Sequence, residues 1–282
     1  MLLIADSGST KTDWALIKED GACSLHLTPG INPVYMSTRD IIHLLNKEAW
    51  INAHADSVLK VRFYGAGCMS EMHCQVVEKA LKNIFVQAND IRVRDDLTAA
   101  ARATCGSQPG LVGILGTGAN ACYFDGEKIH QNTPSLGFIL GDEASGAYFG
   151  KLLIRKILYN ELPTSVIDDF NQKYKMDKSQ IIREVYQNPN PHVFLARLMP
   201  FYTRHRQVLE IAFILKKGFR EYLTHHILCY EQAHELRVHF VGSIAKIFHS
   251  ELLETATSMD ISLGKIIRSP IDALVKYTLA SD

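Results

Sequence analysis

Two short turns constrain this chain more than anything else in it. The first interrupts the opening stretch MLLIADSGSTKTDWALI: an apolar run ends at Asp6, Ser7-Gly8-Ser9-Thr10-Lys11-Thr12 follows, and apolar character resumes at Trp14. A turn so polar and so free of bulk is not shaped by packing. The second repeats the theme after the clearest break in the chain, Cys105-Gly106-Ser107-Gln108-Pro109-Gly110. There an apolar run at 111–115 meets Gly116-Thr117-Gly118, and a second run follows at 121–124. Strand, small-residue turn, strand, once on each side of a break, predicts two similar α/β domains, 1–105 and 106–282, facing across a cleft.

The remaining pattern agrees with that division. Strands are expected at 2–6, 14–18, 24–28, 61–64 and 91–93, and helices at about 38–54, 70–86 and 96–104. Beyond 143 the chain reads as mainly helical to 258, with a strand at 238–241 ending in Gly242-Ser243. A last strand-like Ile266-Ile267 leads through Pro270, suited to a helix N1 position, into a terminal helix at about 270–282.

Composition removes several classes of function. Thirty basic and thirty acidic residues leave no excess positive charge for nucleic acid. No apolar stretch approaches the roughly 18 residues of a membrane span, and the first residues lack the pattern of a signal peptide. Cys23, Cys68, Cys74, Cys105, Cys122 and Cys229 show no CxxC pair or metal-ligand spacing, which fits reduced thiols in a cytoplasmic protein. The twelve histidines show no ligand spacing either.

What the turns hold follows from their chemistry. A sharp turn with a glycine and flanking hydroxyls can present backbone N–H groups to phosphate. The plainer alternative for either turn alone is a β-hairpin with an Asx-type bend. Asp6, ending a buried strand beside such a turn, suits Mg²⁺ reached through its water shell. Between the turns, Asp95 and Asp96 stand where a strand meets a helix. One of them is expected to cap the helix; Asp96 as a general base, taking the proton of an attacking hydroxyl, is the functional reading.

These segments resemble the BadF/BadG/BcrA/BcrD ATPase family of the actin–hexokinase–Hsp70 superfamily, most closely its N-acetylglucosamine kinase-like branch. The resemblance spans nearly the whole chain. It implies two ribonuclease H-like domains, each with a mixed five-stranded sheet, around an interdomain cleft, the last helix packing on the first domain. Ser7, Gly8, Ser9, Thr10, Lys11 and Thr12 are similar to the family's first phosphate loop. Gly116-Thr117-Gly118-Ala119-Asn120 resembles its second, and Phe240-Val241-Gly242-Ser243-Ile244-Ala245 its adenosine-contacting segment, implying nucleotide contacts at Gly242, Ser243 and Ala245. Asp96 falls at the position of the catalytic aspartate. Asn32, in Gly30-Ile31-Asn32-Pro33, together with Asn120, Gly137 and Asp142, is implied at the sugar. The chain departs from the family at Pro134-Ser135-Leu136, which replaces a Gly-Gly-Trp wall, and at Gly242-Ser243, which keeps one glycine of a pair.

The resemblance thus implies an ATP- and Mg²⁺-dependent kinase acting on a small-molecule sugar, N-acetylglucosamine to its 6-phosphate, with no nucleic-acid or membrane partner and a homodimer left open. Glucosamine or another hexose is the neighbouring alternative, and a non-catalytic sugar or nucleotide sensor the alternative from another class.

Overall fold

A computed structural model describes residues 1–281 and divides the chain into Met1–Ser107 with the segment from Ser269 onward, and Gln108–Arg268. In the first unit, strands β1 (Leu2–Ser7), β2 (Lys11–Ile17), β3 (Cys23–Pro29), β4 (Lys60–Gly65) and β5 (Asp90–Asp95) form one sheet in the order β3-β2-β1-β4-β5. β1 and β2, and β2 and β3, pair antiparallel, while β4 is parallel to both β1 and β5. The period-2 alternation of strand side chains gives this sheet two buried faces. Leu3, Ala5, Trp14, Leu16, Val61 and Phe63 pack on one with Ile41 and Leu45 of α1 (Thr38–Leu45) and Val77 and Leu81 of a helix at Glu71–Ile84. Ile4, Ala15, Ile17 and Tyr64 pack on the other with Ala99 of the helix Asp96–Cys105 and with Ile271 and Leu274 of the last helix, Ile271–Ser281.

The single helix expected at 38–54 is two: α1, and α2 at Ala49–His54. Ile41 and Leu45 are one helical turn apart, but the next buried side chain, Ile51, comes six residues later. At about 100° per residue that turns it about 120° away from Leu45 on a straight helix, off the stripe the first two share, and the break between α1 and α2 lets all three be buried. The helices Glu71–Ile84 and Asp96–Cys105 follow as α3 and α4. The division after Ser107 lies close to the expected boundary, and the last helix is part of the first unit.

The second unit carries β6 (Gly110–Leu115), β7 (Ala119–Phe124), β8 (Ile129–His130), β9 (Val238–Val241) and β10 (Leu263–Ile267), in the order β10-β9-β6-β7-β8. β7 is antiparallel to β6 and β8; β9 is parallel to β6 and β10. Strand for strand this is the topology of the first unit, so the echo between the two turns is a duplicated sheet. Helices α5 (Gly137–Leu140), α6 (Gly146–Leu158), α7 (Thr164–Tyr174), α8 (Lys178–Tyr186), α9 (Pro191–Ala196), α10 (Met199–His205), α11 (Leu209–Tyr222), α12 (Ser243–Ile247) and α13 (His249–Thr257) complete the unit. Its core gathers Phe149, Phe201, Tyr202, Phe219, Tyr222 and Phe240, all fully buried. The fold class is therefore α/β, with two mixed five-stranded sheets. Among the described residues no helix is long and apolar enough to cross a membrane, and all six cysteines are free thiols.

Candidate active site

In the first unit the site grows from the carboxyl edge of the three parallel strands, the edge at which open α/β sheets bind ligands. Ser7 of β1 is in register with Gly65 of β4, and Gly65 with Asp95 of β5. Asp6, one residue back on β1, faces the side covered by α4, whose first residue is Asp96. Burial raises the Asp6 carboxyl to about 7; repulsion from Asp96 and Asp13 adds to the effect, and Lys11 opposes it.

The structure assigns different tasks to the two adjacent aspartates. Asp95 is the N-cap of α4: one carboxylate oxygen accepts from the Thr98 N–H at 2.8 Å and the other from the Thr98 hydroxyl at 2.8 Å. Asp96, at the first helical position, is not the cap. Its carboxylate sits where the helix dipole favours negative charge and acts electrostatically on Asp6.

The hydroxyls of the first turn divide the same way. Ser7 and Thr12 are fully buried, with their side-chain oxygens 2.7 Å apart. Ser7 Oγ donates to the Ile31 carbonyl and accepts from the Ile31 N–H, while the Thr12 hydroxyl donates to the Pro29 carbonyl. Both were expected as phosphate ligands; instead their side chains fasten β1 and β2 to the 29–31 segment. Lys11 was likewise expected at phosphate, and its ammonium is held by Asp13 at 2.7 Å. Gly8, Ser9 and Thr10 are left as the tip of the turn.

The turn and the Asn32 loop are one construction. Gly30 is obligatory, because a Cβ there would stand 2.3 Å from the Gly8 carbonyl oxygen, and its N–H donates to the Thr10 carbonyl. Asn32 Oδ1 accepts from Val34 N–H at 3.0 Å, and its amide reaches Ser9 Oγ at 3.5 Å. Asp6, the 8–10 tip, Asn32 and Asp96 thus belong to one end of the first unit.

The second unit has its own convergence. The Gly116 and Thr117 carbonyls accept from the Gly146 and Ala147 N–H groups at the start of α6. Gly242 (φ 126°) lies against the same turn: a Cβ there would be 2.2 Å from the Leu115 carbonyl oxygen. Asp142 packs on Gly118, whose Cβ would fall 2.9 Å from Oδ2. Burial pushes the Asp142 carboxyl up to about 6, against a hydrogen bond from Ala119 N–H. Asp142 and Ala144 both hold left-handed backbone (φ 55° and 59°), the kind of strain that concentrates at binding segments. Gly116, Thr117, Gly118, Asp142, Gly242 and Ser243 are therefore neighbours.

Two expected contacts have other partners in this unit. Asn120 is buried; its Oδ1 accepts from Gln131 and from Ala121 N–H, and its carbonyl accepts from the Tyr222 hydroxyl. Ala245 is fully buried in the hydrophobic core, which leaves it no side-chain surface for an adenosine. Gly137, with φ 69°, opens α5 beside the exposed Pro134-Ser135-Leu136 segment. Sequence reasoning missed Gln131, Glu143 and His226: His226 Nε2 lies 2.9 Å from Glu143 Oε2 beside Asp142, a pairing of residues 83 apart with no local signal.

Among the described residues no group of three or more His, Cys, Asp or Glu is placed to bind a metal directly. Asp6, raised by burial and then by the neighbouring Asp96 and Asp13 carboxylates, nonetheless fits a divalent cation held through water, since Mg²⁺ keeps much of its hydration shell.

The whole chain is similar to solved structures. A crystal structure from Porphyromonas gingivalis, described as that of a candidate N-acetylglucosamine kinase, is similar over 100% of this chain and 99% of that one, with 36% identity and a TM-score of 0.94. A second candidate N-acetylglucosamine kinase, from Chromobacterium violaceum, shares 16% identity over 98% of each chain, with a TM-score of 0.64. A ROK family glucokinase from Streptomyces griseus, solved with glucose and AMPPNP, shares 13% identity over 99% of this chain and 98% of that one, at 0.53. The last two likenesses show the fold alone. No family profile and no curated protein sequence matches the chain.

Proposed function

The chain belongs to the N-acetylglucosamine kinase-like branch of the actin–hexokinase–Hsp70 superfamily, and we propose that this ATP-dependent sugar kinase phosphorylates an amino sugar, N-acetylglucosamine, at its 6-hydroxyl. The observation that carries the reading is the division of labour at 95–96. Asp95 satisfies the helix end, so Asp96 is spared that task at the carboxyl edge of β5, on the side that Asp6 faces.

In this reading Asp96 accepts the proton of the sugar hydroxyl as that oxygen attacks the γ-phosphorus. Phosphoryl transfer asks the protein mainly for positioning and charge stabilisation. Asn32 and Asp142 orient the sugar. Gly8, Ser9 and Thr10 of the first turn contact phosphate, as do Gly116, Thr117 and Gly118 of the second, with Gly242 and Ser243 at the nucleoside. Ser7 and Thr12 act by fixing the shape of the first turn, and Lys11 by its pairing with Asp13. Mg²⁺, held through water near Asp6, would neutralise phosphate charge. The same cation would offset the share of the Asp6 rise that comes, after burial, from Asp96 and Asp13.

The test is ADP release by the purified protein with ATP, Mg²⁺ and, in turn, N-acetylglucosamine, glucosamine, glucose and mannose. Highest kcat/KM on N-acetylglucosamine is expected. A preference for glucosamine or glucose would transfer the reading to that acceptor, the alternative suggested by Pro134-Ser135-Leu136 in place of the family's Gly-Gly-Trp. No sugar-dependent ADP release across the panel would reject it.

A further inference from the structure

One turn of π-helix in the second unit, Leu223–Ile227, grips both ends of the segment that leads to Asp142. It follows α11 directly, and the Leu228 N–H closes it on the Leu223 carbonyl at 2.9 Å. Such turns are rare and recur at functional sites. At the start of the segment the Thr133 hydroxyl donates to the His225 carbonyl at 2.9 Å. The Asn132 side-chain amide donates to the Cys229 carbonyl at 3.0 Å, and the Asn132 N–H to the Tyr230 hydroxyl at 3.2 Å. At its end, Glu143 Oε2 lies 2.9 Å from His226 Nε2. Residues 134–142 span the interval, and Lys151 of α6 donates to the Phe138 carbonyl within it at 3.0 Å. Gly137 and Asp142, both expected at the sugar, lie in that interval.

The fastening at Glu143 falls where the backbone is strained. Asp142 and Ala144, on either side of it, have φ of 55° and 59°. Residues other than glycine keep such a conformation only where their surroundings impose it. Asp142 is restrained by a hydrogen bond from Ala119 N–H, and its carbonyl accepts from Ser145 N–H at 3.0 Å. The Glu143 carboxylate, between the two strained residues, accepts from His226. Hydrogen bonds to an ionised group are the strong ones, and water reaches this one little: the two side chains are 8% and 20% exposed. His226 also stacks on Tyr222, with ring centres 5.0 Å apart, and the Tyr222 hydroxyl donates to the Asn120 carbonyl at 2.7 Å. Two packed rings thus connect β7 to the residue that follows Asp142.

We propose that His226 is a positioning residue for the acceptor: through Glu143 it holds Asp142 in its left-handed conformation, and so sets the direction from which the Asp142 carboxylate meets the sugar. The inference rests on the sugar-kinase reading and extends it to a residue that acts through a neighbour. Loss of the His226 hydrogen bond frees the Asp142–Ala144 backbone to relax, which weakens the sugar and leaves the nucleotide.

The test compares sugar and nucleotide in the full chain. His226→Phe keeps a ring over Tyr222 but cannot donate to Glu143; Glu143→Gln keeps an acceptor, and Glu143→Ala has none. KM for the preferred sugar is expected to rise about ten- to hundredfold in His226→Phe and in Glu143→Ala, with kcat within about threefold and AMPPNP affinity, from isothermal titration, within about twofold. Glu143→Gln should recover most of the loss. In the double variant His226→Phe/Glu143→Ala the rise should match that of one substitution, because both remove the same interaction. Circular dichroism checks each fold; where His226→Phe does not fold, the contrast between Glu143→Gln and Glu143→Ala decides. A sugar KM unchanged in the folded single variants, effects that multiply in the double variant, or equal weakening of sugar and AMPPNP would overturn the proposal. Titration with the four sugars separates it from the kinase reading. Sugar binding by the wild type without ADP release rejects that reading alone, and dissociation constants in place of KM then decide the role of His226. A wild type that binds none of the four overturns the proposal.

Discussion

Replacing Asp95 and Asp96 one at a time separates two carboxylates that adjoin in sequence. Asp95→Ala removes the N-cap of α4 and strands both the Thr98 N–H and hydroxyl, each now bonded at 2.8 Å. Loss of such a cap costs about 1–2 kcal/mol. At about 4 °C per kcal/mol for a unit of this size, the midpoint of thermal unfolding should fall by about 4–8 °C. Turnover by the protein that remains folded should change little. Asp96→Asn removes a charge that gains about 0.3–1 kcal/mol from the helix dipole, but it also relieves the repulsion with Asp6. The two effects oppose, so stability should stay within about 1 kcal/mol of wild type. As a general base Asp96 should contribute about 10²–10⁴ to the rate, or about 3–5 kcal/mol of barrier at 1.36 kcal/mol per decade. Coupled ADP release gives kcat and differential scanning calorimetry gives stability. If Asp96→Asn retains kcat within threefold of wild type, or Asp95→Ala abolishes turnover at an unchanged melting temperature, the roles assigned here are reversed or absent.

Three further outcomes are expected. Because the folded Asp6 carboxyl is raised to about 7 from 3.8, the native state binds the proton more tightly than the unfolded chain. Stability should therefore fall as pH rises from about 4 to 7, and this Asp6 contribution should vanish in Asp6→Asn and weaken with added Mg²⁺, as read from melting temperature against pH. Ser7→Ala leaves a buried hydroxyl and the Ile31 N–H short of partners, so it should cost about 1–3 kcal/mol in urea unfolding while KM for ATP stays within threefold; a large rise in KM at full stability would instead make Ser7 a phosphate ligand. Gly242→Ala forces a Cβ to within 2.2 Å of the Leu115 carbonyl at a φ of 126°, and should destabilise the second unit by about 3 kcal/mol or more, visible as a lower unfolding midpoint and weaker binding of AMPPNP.

The sequence alone determined the strands other than the two-residue β8, the two small-residue turns and the repeated theme, since an apolar run closed by glycine and hydroxyls leaves the backbone few options. It also placed Asp6 and Asp96 beside strand ends, where local pattern is enough. Tertiary structure alone decided which polar side chains point inward. Ser7 and Thr12 look like ligands until the 29–31 segment, 24 and 17 residues further on, closes over them. Asn120 and Ala245 look like contacts until Gln131, Tyr222 and the core claim them. The choice of Asp95 over Asp96 as cap, and the pairing of Glu143 with His226, are equally invisible along the chain. The physical reason is common to all of them: a hydroxyl, amide or carboxylate takes whichever partner removes its cost of burial, and that partner is supplied by the folded neighbourhood.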